Sequence, residues 1–207
     1  MPNWCYVTIT ADPKVLADMI DDEGNATFEK LLPIPEELKG TTSPTPKDAD
    51  EKQIEYLLDK YGSSNWFDWS ISNWGTKWNA TTDDLYVDGD NFVAFRVPWD
   101  QPDEFIWTLS RKHPEETIRV EWEEEQDQGQ VYEMKNGEIV KVLEEWHIPQ
   151  WGEEHEVGDY VIQECLSNGG RYDTNVPRWH KGKFYIDMDE DQEYSTLEEA
   201  KQSAEEM

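Results

Sequence analysis

Aromatic residues are the feature that most constrains how this chain can fold. The sequence contains 11 Trp, 9 Tyr and 6 Phe, and each large ring can bury roughly 150–250 Å² of surface. The same chain has 47 acidic and 18 basic residues, a formal net charge of −29, which alone would favour disorder. Disordered acidic segments are poor in aromatic residues. The composition therefore predicts a folded protein with an aromatic core and an acidic surface.

The charge and the apolar pattern exclude several classes of function. Direct nucleic-acid binding is not expected, because phosphate contacts need clustered Lys and Arg, and an anionic membrane surface would repel the chain for the same reason. No apolar run is long enough to span a bilayer, and the N-terminus lacks the basic start and long apolar core of a signal peptide. Cys5 and Cys165 are too few for a disulfide scaffold. These features predict a cytoplasmic protein.

The apolar periodicity predicts an α+β fold. In chain order, the pattern indicates a strand at 3–10, a helix after Asp12-Pro13 that Gly24-Asn25 ends, strands at 85–87 and 92–97, a helix from Pro102 to His113, and a strand at 117–125. That order is typical of the split βαβ sheet of a ferredoxin-like fold. The helical segment of about 28–73 is then an insertion after the first helix. It is expected to hold a helix over 51–61 and a short helix into Asn73-Trp74-Gly75, with a strand following from Lys77.

The remainder of the chain predicts a hairpin and a small appended unit. Lys135-Asn136-Gly137-Glu138 is a strong two-residue turn signal between strands at 130–134 and 138–144. Beyond it we expect strands near 160–162 and 183–186, and a helix from Thr196 whose capping box pairs Ser195 with Glu198. We therefore predict two domains: residues 1–145, ferredoxin-like with the insertion, and residues 146–207, a small acidic αβ extension.

Two short motifs suggest a relationship to known proteins. They are Met1-Pro2-Asn3-Trp4-Cys5 at the start and Asn73-Trp74-Gly75-Thr76-Lys77-Trp78 further along. Together with segments 28–38, 65–69 and 95–102, they resemble the YubB-like ferredoxin-like family of bacteriophage and plasmid proteins. The chain departs from that family at Asp100-Gln101-Pro102, where a double proline is usual. The resemblance implies a ferredoxin-like domain, a mobile-element origin and residence in the cytoplasm of a bacterial host, but it implies no reaction.

The family motif has a functional and a structural interpretation. Asn73, Lys77 and stacked tryptophans could form a site, and the aromatic surface around Trp66–Trp78 could make the protein an interaction or assembly module. Alternatively, Gly75 ends a helix and the rings are buried, which is ordinary for glycine and for aromatic residues. The structural interpretation is favoured for Asn3, Trp4, Asn73, Trp74, Gly75, Thr76, Lys77 and Trp78 alike.

One acidic segment has the spacing of a calcium loop. Counting from Asp187, carboxylates occupy positions 1, 3, 5 and 12, which are Asp187, Asp189, Asp191 and Glu198. Gln192 replaces the usual glycine at position 6, and a strand precedes the segment. A solvated acidic turn is therefore favoured over a calcium or metal site. The histidines and cysteines show no zinc spacing and no glycine loop cradles phosphate, so we expect no metal, no cofactor and no enzymatic activity.

The acidic residues themselves are the main candidate site. On the strand 117–125, Glu121, Glu123 and Glu125 should point away from the apolar face. Alternate strand residues lie about 6.7 Å apart, a pitch comparable to neighbouring phosphates along one nucleic-acid strand. The hairpin that follows could widen the row. The predicted partner-binding set is Glu121, Glu123, Glu124, Glu125, Asp127, Glu133, Glu138, Glu144 and Glu145.

This surface predicts a non-enzymatic accessory protein that acts as a nucleic-acid mimic. Its carboxylates would occupy the basic nucleic-acid-binding groove of a host defence or DNA-handling protein, an association that electrostatics would steer and salt would weaken. Three alternatives stay open. The acid could serve solubility alone, the tryptophan-rich surface could bind the partner, or the protein could depend on metal at 187–198.

Overall fold

The structure is a computed structural model, and it describes residues 3–47, 49–81, 87–88, 91–126, 128–171, 177–189 and 191–207. The chain is a mixed α+β protein with an antiparallel sheet and a few helices. It divides into two compact units, Met1–Glu125 with Gln130–Glu144 and Gln126–Gly129 with Glu145–Met207. None of the helices in the described ranges has the length and apolar composition needed to cross a membrane.

A six-stranded sheet organises the first unit. In chain order up to the last strand of this sheet, the helices and strands are β1 (Trp4–Thr10), α1 (Pro13–Leu16), α2 (Glu36–Lys39), α3 (Glu51–Tyr61), α4 (Trp66–Trp74), β2 (Val87–Asp88), β3 (Phe92–Pro98), α5 (Asp103–Lys112), β4 (Ile118–Glu124), β5 (Gln128–Lys135) and β6 (Glu138–Trp146). The strand order is β2-β3-β1-β4-β5-β6. β1 pairs antiparallel with both β3 and β4, and β2 pairs antiparallel with β3.

Aromatic rings fill the core between the sheet and the helices. Cys5, Val7 and Ile9 on one face of β1 are buried with residues of the helices, and this is called the inner face below. Phe28 is fully buried at the centre of the core. Its ring centroid lies 5.6, 5.5 and 4.3 Å from those of Trp74, Phe95 and Phe105. The apolar residues that the composition predicts to be inside are therefore packed ring against ring.

Local capping signals place three helices where the sequence predicts them. Asp50 accepts a hydrogen bond from the Lys52 N–H at the start of α3, and Gly62 ends that helix in the left-handed conformation with φ 70°. Asn65 caps α4, and Gly75 ends it with φ 81°. α5 follows Pro102. In α3 and α4 a side chain and a glycine satisfy free backbone groups at the helix ends, whereas α5 has no side-chain cap at Pro102.

Two predicted elements differ from the structure. α1 ends at Leu16 instead of continuing to Gly24, because the chain leaves the helix to pair with itself: Ile20 bridges Ala26, and the Met19 carbonyl accepts from the Thr27 N–H. No strand begins at Lys77, and the first extended contact is a single bridge between Thr81 and Arg96. The start of the predicted strand 85–87 lies outside the described residues.

A three-stranded sheet and one helix form the second unit. They are β7 (His155–Val157), β8 (Tyr160–Glu164), β9 (Phe184–Ile186) and α6 (Leu197–Glu206), with the strand order β7-β8-β9. Ala200 and Ala204 of α6 are buried with Ile162 and Ile186 of the sheet.

The capping box of α6 lies one residue later than predicted. Thr196 is the N-cap, and its Oγ1 accepts from the Glu199 N–H at 3.2 Å, while Glu199 Oε2 accepts from the Ser195 N–H at 3.1 Å. The pairing of Ser195 with Glu198 was therefore wrong. Ser195 and Thr196 are both hydroxyl residues, and they are followed at the same spacing by Glu198 and Glu199, so the sequence is compatible with two capping boxes. The later box begins the helix at Leu197, which packs against the core of this unit.

Removing the central ring should destabilise the first unit strongly. We expect Phe28→Ala to lower the free energy of unfolding by about 3–5 kcal/mol, because it leaves a cavity among three other rings. Leu58→Ala, at a side chain that is 47% exposed, is the control and should cost well under half as much. Urea unfolding followed by tryptophan fluorescence measures both, and equal losses would contradict this account of the core.

Candidate functional site at one end of the sheet

Three segments that are distant in sequence meet at one end of the six-stranded sheet. They are the start of β1, the turn after α4 and the connection between β3 and α5. The Trp99 N–H donates to the Asn3 carbonyl at 2.8 Å, and Thr76 Oγ1 donates to the Pro98 carbonyl at 3.2 Å. The structure thus brings together the two motifs that carry the family resemblance.

Gly75 permits the close approach of the turn to α5. An added Cβ at this position would lie 2.9 Å from the Asp103 backbone nitrogen, and the positive φ is itself unfavourable for other residues. Asn73 Nδ2 donates to the Trp69 carbonyl, and the buried Trp74 donates through Nε1 to the Leu32 carbonyl. These motif residues hold the turn in place.

Lys77 and Trp78 face outward and form part of an aromatic surface. Lys77 Nζ lies 4.9 Å from the ring centroid of Trp78, 5.7 Å from that of Trp99 and 5.8 Å from that of Phe67. Trp4 lies beside Trp78, with centroids 6.3 Å apart. We call Trp4, Lys77, Trp78 and Trp99 the tryptophan–lysine patch. Cation–π attraction orients the rings around the ammonium group.

The exposed rings of the patch are held at a conformational cost. Trp78 is 40% and Trp99 48% exposed, so neither ring gains the full stabilisation of burial. Trp99 also has φ 74°, in the left-handed region that costs an L-residue roughly 1–2 kcal/mol. Strain retained by a bulky, exposed residue is typical of functional positions. The patch is therefore suited to contact another molecule.

Titratable groups lie near the patch where β3 leads into α5. Burial, and then the nearby Asp100 and Glu104, raise the pKa of Asp103 to about 6. Burial is also the main cause that raises the pKa of the Cys5 thiol and of the Tyr132 hydroxyl. Both stay neutral at physiological pH, and because the thiolate is the reactive form of cysteine, Cys5 is not an activated nucleophile.

The acidic residues of β4 lie on both faces of the sheet. Glu121 and Glu123 are on the outer face, opposite Thr8 and Tyr6 of β1. Arg119 precedes them on the same face, and its Nη2 lies 3.4 Å from Glu121 Oε2. The predicted row of carboxylates therefore contains two glutamates within β4 and an arginine paired with one of them.

Glu124 does not belong to any exposed surface. It lies opposite Cys5 on the inner face and is 4% exposed, because the alternation that turns Glu123 outward turns its neighbour inward. Its assignment to the partner-binding set was wrong. Glu125 is exposed just beyond the strand, where its N–H donates to the Trp4 carbonyl at 3.1 Å.

The other predicted acidic residues lie beyond β4. Asp127 lies outside the described residues. Glu133 is half-buried on β5, whereas Glu138, Glu144 and Glu145 are exposed on β6. Consecutive strand residues point to opposite faces, so Glu144 and Glu145 cannot contribute to one array.

The proposed calcium ligands are engaged in local contacts. Asp187 Oδ1 accepts from the Val161 N–H at 2.8 Å, and Asp189 Oδ1 accepts from the Asp191 N–H at 3.0 Å. Glu198 lies 3.7 Å from Lys201 Nζ. Within the described residues, which leave out Glu190, no group of three or more His, Cys, Asp or Glu side chains is placed to hold a metal ion.

Trp99 is the patch residue that the motifs do not indicate. It lies in segment 95–102, and neither its exposure nor its positive φ follows from a periodic pattern in the sequence. Comparison of the chain with protein-family models, with curated proteins and with solved structures gave no match. The interpretation of the patch therefore depends on its own geometry and charge.

Replacing Trp99 should show that its ring does not stabilise the fold. Asn enters the left-handed region more readily than Trp, so we expect Trp99→Asn to leave the free energy of unfolding unchanged or to raise it by up to about 1 kcal/mol. Trp74→Ala, which removes a buried ring, should cost about 3–5 kcal/mol. Urea unfolding of both variants tests this, and a loss of several kcal/mol for Trp99→Asn would assign the ring to the fold.

Asp103 should make stability depend on pH. Because its pKa in the folded protein is about 6, above its unfolded value, the group favours the folded state at low pH and loses that contribution as pH rises from about 4 to 6. The free energy of unfolding of Asp103→Asn minus that of the wild type should therefore increase between pH 4 and pH 8, by about 1 kcal/mol after solvent screening. Glu51→Gln controls for removing a charge at a helix N-terminus. A pH-independent difference would contradict the assignment.

Proposed function

We propose that this is a non-enzymatic binding protein that docks a basic partner protein on the tryptophan–lysine patch. The observation that carries this proposal is the pair of roughly half-exposed indoles, Trp78 and Trp99, held around Lys77 although Trp99 is strained. Tryptophan is enriched among the residues that dominate binding energy at protein interfaces. The patch would supply the anchoring contacts of the complex.

The acidic surface would supply attraction at longer range. A formal charge of −29 accelerates encounter with a cationic protein and repels acidic ones. The partner we propose is a nucleic-acid-binding protein of a bacterial host, whose basic groove the acidic protein would block. The patch would then chiefly determine the dissociation rate, and the acid the association rate and its dependence on salt.

Direct mimicry of nucleic acid by β4 is the second candidate function. It is favoured by Glu121 and Glu123, which share the outer face of one strand at a pitch of about 6.7 Å. In that case the glutamates would themselves fill phosphate sites of the groove. Arg119, which pairs with Glu121, would weaken such an array, and for this reason the patch is placed first.

The strand order supports the proposed family relationship. β1, β2, β3 and β4, with helices between β1 and β2 and between β3 and β4, follow the chain order of a split βαβ fold. They lie in the sheet as β2-β3-β1-β4. We propose on this basis, and on the motifs, a ferredoxin-like first unit and an origin in a bacteriophage or plasmid.

The two contributions can be separated by kinetics. The wild type, immobilised, would capture a partner from nuclease-treated bacterial lysate, and association and dissociation of the purified partner would then be measured at two salt concentrations. We expect Trp78→Ala with Trp99→Asn to raise the dissociation rate by about tenfold or more. Lys substitutions of Glu121, Glu123 and Glu125 should lower the association rate and its salt dependence.

Tyr56→Ala is the matched control, since it removes an aromatic ring that is 46% exposed on α3, away from the patch. It should leave both rates unchanged. An unchanged dissociation rate for the tryptophan variant would exclude the patch as the anchor, and loss of capture by the glutamate variant alone would favour mimicry. Displacement of DNA from the partner by the wild type would identify the blocked groove.

A further inference from the structure

Within the described residues, β6 is the outermost strand of the six-stranded sheet and exposes apolar side chains on both faces. Ile139, Val140, Val142 and Leu143 are 47, 56, 49 and 37% exposed. Natural proteins normally cover or interrupt such an edge, because its unpaired backbone groups recruit another strand. Contiguous exposed apolar side chains mark interaction surfaces.

The turn before β6 determines which of its backbone groups are available. Asn136 and Gly137 have φ 50° and 77°, as a two-residue type I′ turn requires. The residues flanking such a turn form a hydrogen-bonded pair, and bonded and non-bonded pairs alternate along the hairpin. The N–H and C=O groups of Ile139, Lys141 and Leu143 therefore point away from β5, towards the edge of the sheet.

The charges on β6 disfavour pairing with a second copy of the chain. Glu138 and Glu144 stand at the two ends of the apolar stretch, and Lys141 stands at its centre. If segment 138–144 paired antiparallel with itself in full register, Glu138 would face Glu144 and Lys141 would face Lys141. Directly opposed like charges destabilise a strand pair, and a parallel pairing in register opposes the same charges. The fitting segment has the opposite pattern, with cationic ends and an acidic centre.

We propose that the free edge of β6 binds an extended segment of another protein by strand addition. Backbone hydrogen bonds to Ile139, Lys141 and Leu143 would provide affinity, as in other complexes of this kind. Glu138 and Glu144 would select a segment with Lys or Arg at both ends and β-branched residues between them. This site lies on a different part of the sheet from the tryptophan–lysine patch. The proposal does not depend on the function proposed for that patch.

A pair of peptides tests the charge selection. The probe is Lys-Val-Ile-Glu-Ile-Val-Lys, blocked at both ends, and its pattern is the same in either strand direction. The control, Glu-Val-Ile-Lys-Ile-Val-Glu, exchanges the charges and keeps the apolar residues. We expect the probe to bind the full-length protein at least about tenfold more tightly in fluorescence anisotropy, because its three charges oppose those of β6. Equal affinities would overturn the proposal.

A proline variant tests strand pairing itself. Lys141→Pro removes an N–H that faces the free edge and leaves the bonds to β5, a position where proline is tolerated. We expect it to bind the probe about tenfold more weakly than Lys141→Thr, which removes the same charge and keeps the N–H. Urea unfolding checks that both variants fold, and a probe N-methylated at every residue, which has no backbone N–H for β6 on either edge, should fail to bind the wild type. Binding of that probe, or a wild-type dimer in sedimentation that Lys141→Pro abolishes, would contradict the proposal.

Discussion

The packing of aromatic rings around Phe28 is the interaction on which the first unit depends. A chain with a net charge of −29 repels itself when compact, and only a large apolar gain offsets that repulsion. Phe28 provides it by joining Trp74 from α4, Phe95 from β3 and Phe105 from α5. One ring thus connects the sheet with α4 and α5. The acidic side chains can then remain at the surface, where water solvates them.

Elements with local signals could be predicted from the sequence, and elements that depend on distant contacts could not. Asp50 and Gly62 define α3 because a cap and a left-handed glycine act within one turn of the helix. Asn136-Gly137 defines the hairpin for the same reason. α1 was predicted too long because the helical spacing of apolar residues continues past Leu16. The bridge between Ile20 and Ala26, for which the chain leaves the helix, has no periodic signal in the sequence.

The candidate site was even harder to predict from the sequence, because it depends more on contacts between distant segments. The motif around Gly75 could be recognised, and so could the outward-facing strand positions of Glu121 and Glu123. The position of Trp99 could not, because it follows from a backbone bond to Asn3 and from a positive φ, neither of which leaves a periodic trace in sequence. Glu124 was misplaced because a run of adjacent glutamates hides the alternation that buries one of them. A surface formed by three segments that are distant in sequence can be identified only from the structure, in which the sheet brings the segments together.

The contact at Gly75 has a consequence for how the surface can vary. Between the turn after α4 and the first turn of α5, backbone meets backbone, and no side chain fills the space. The shortest distance between these segments is therefore set by the van der Waals radii of backbone atoms. Lys77 and Trp78 inherit that spacing directly. A side chain at position 75 would push the two segments apart, and with them Trp78 and Trp99, which lie around Lys77.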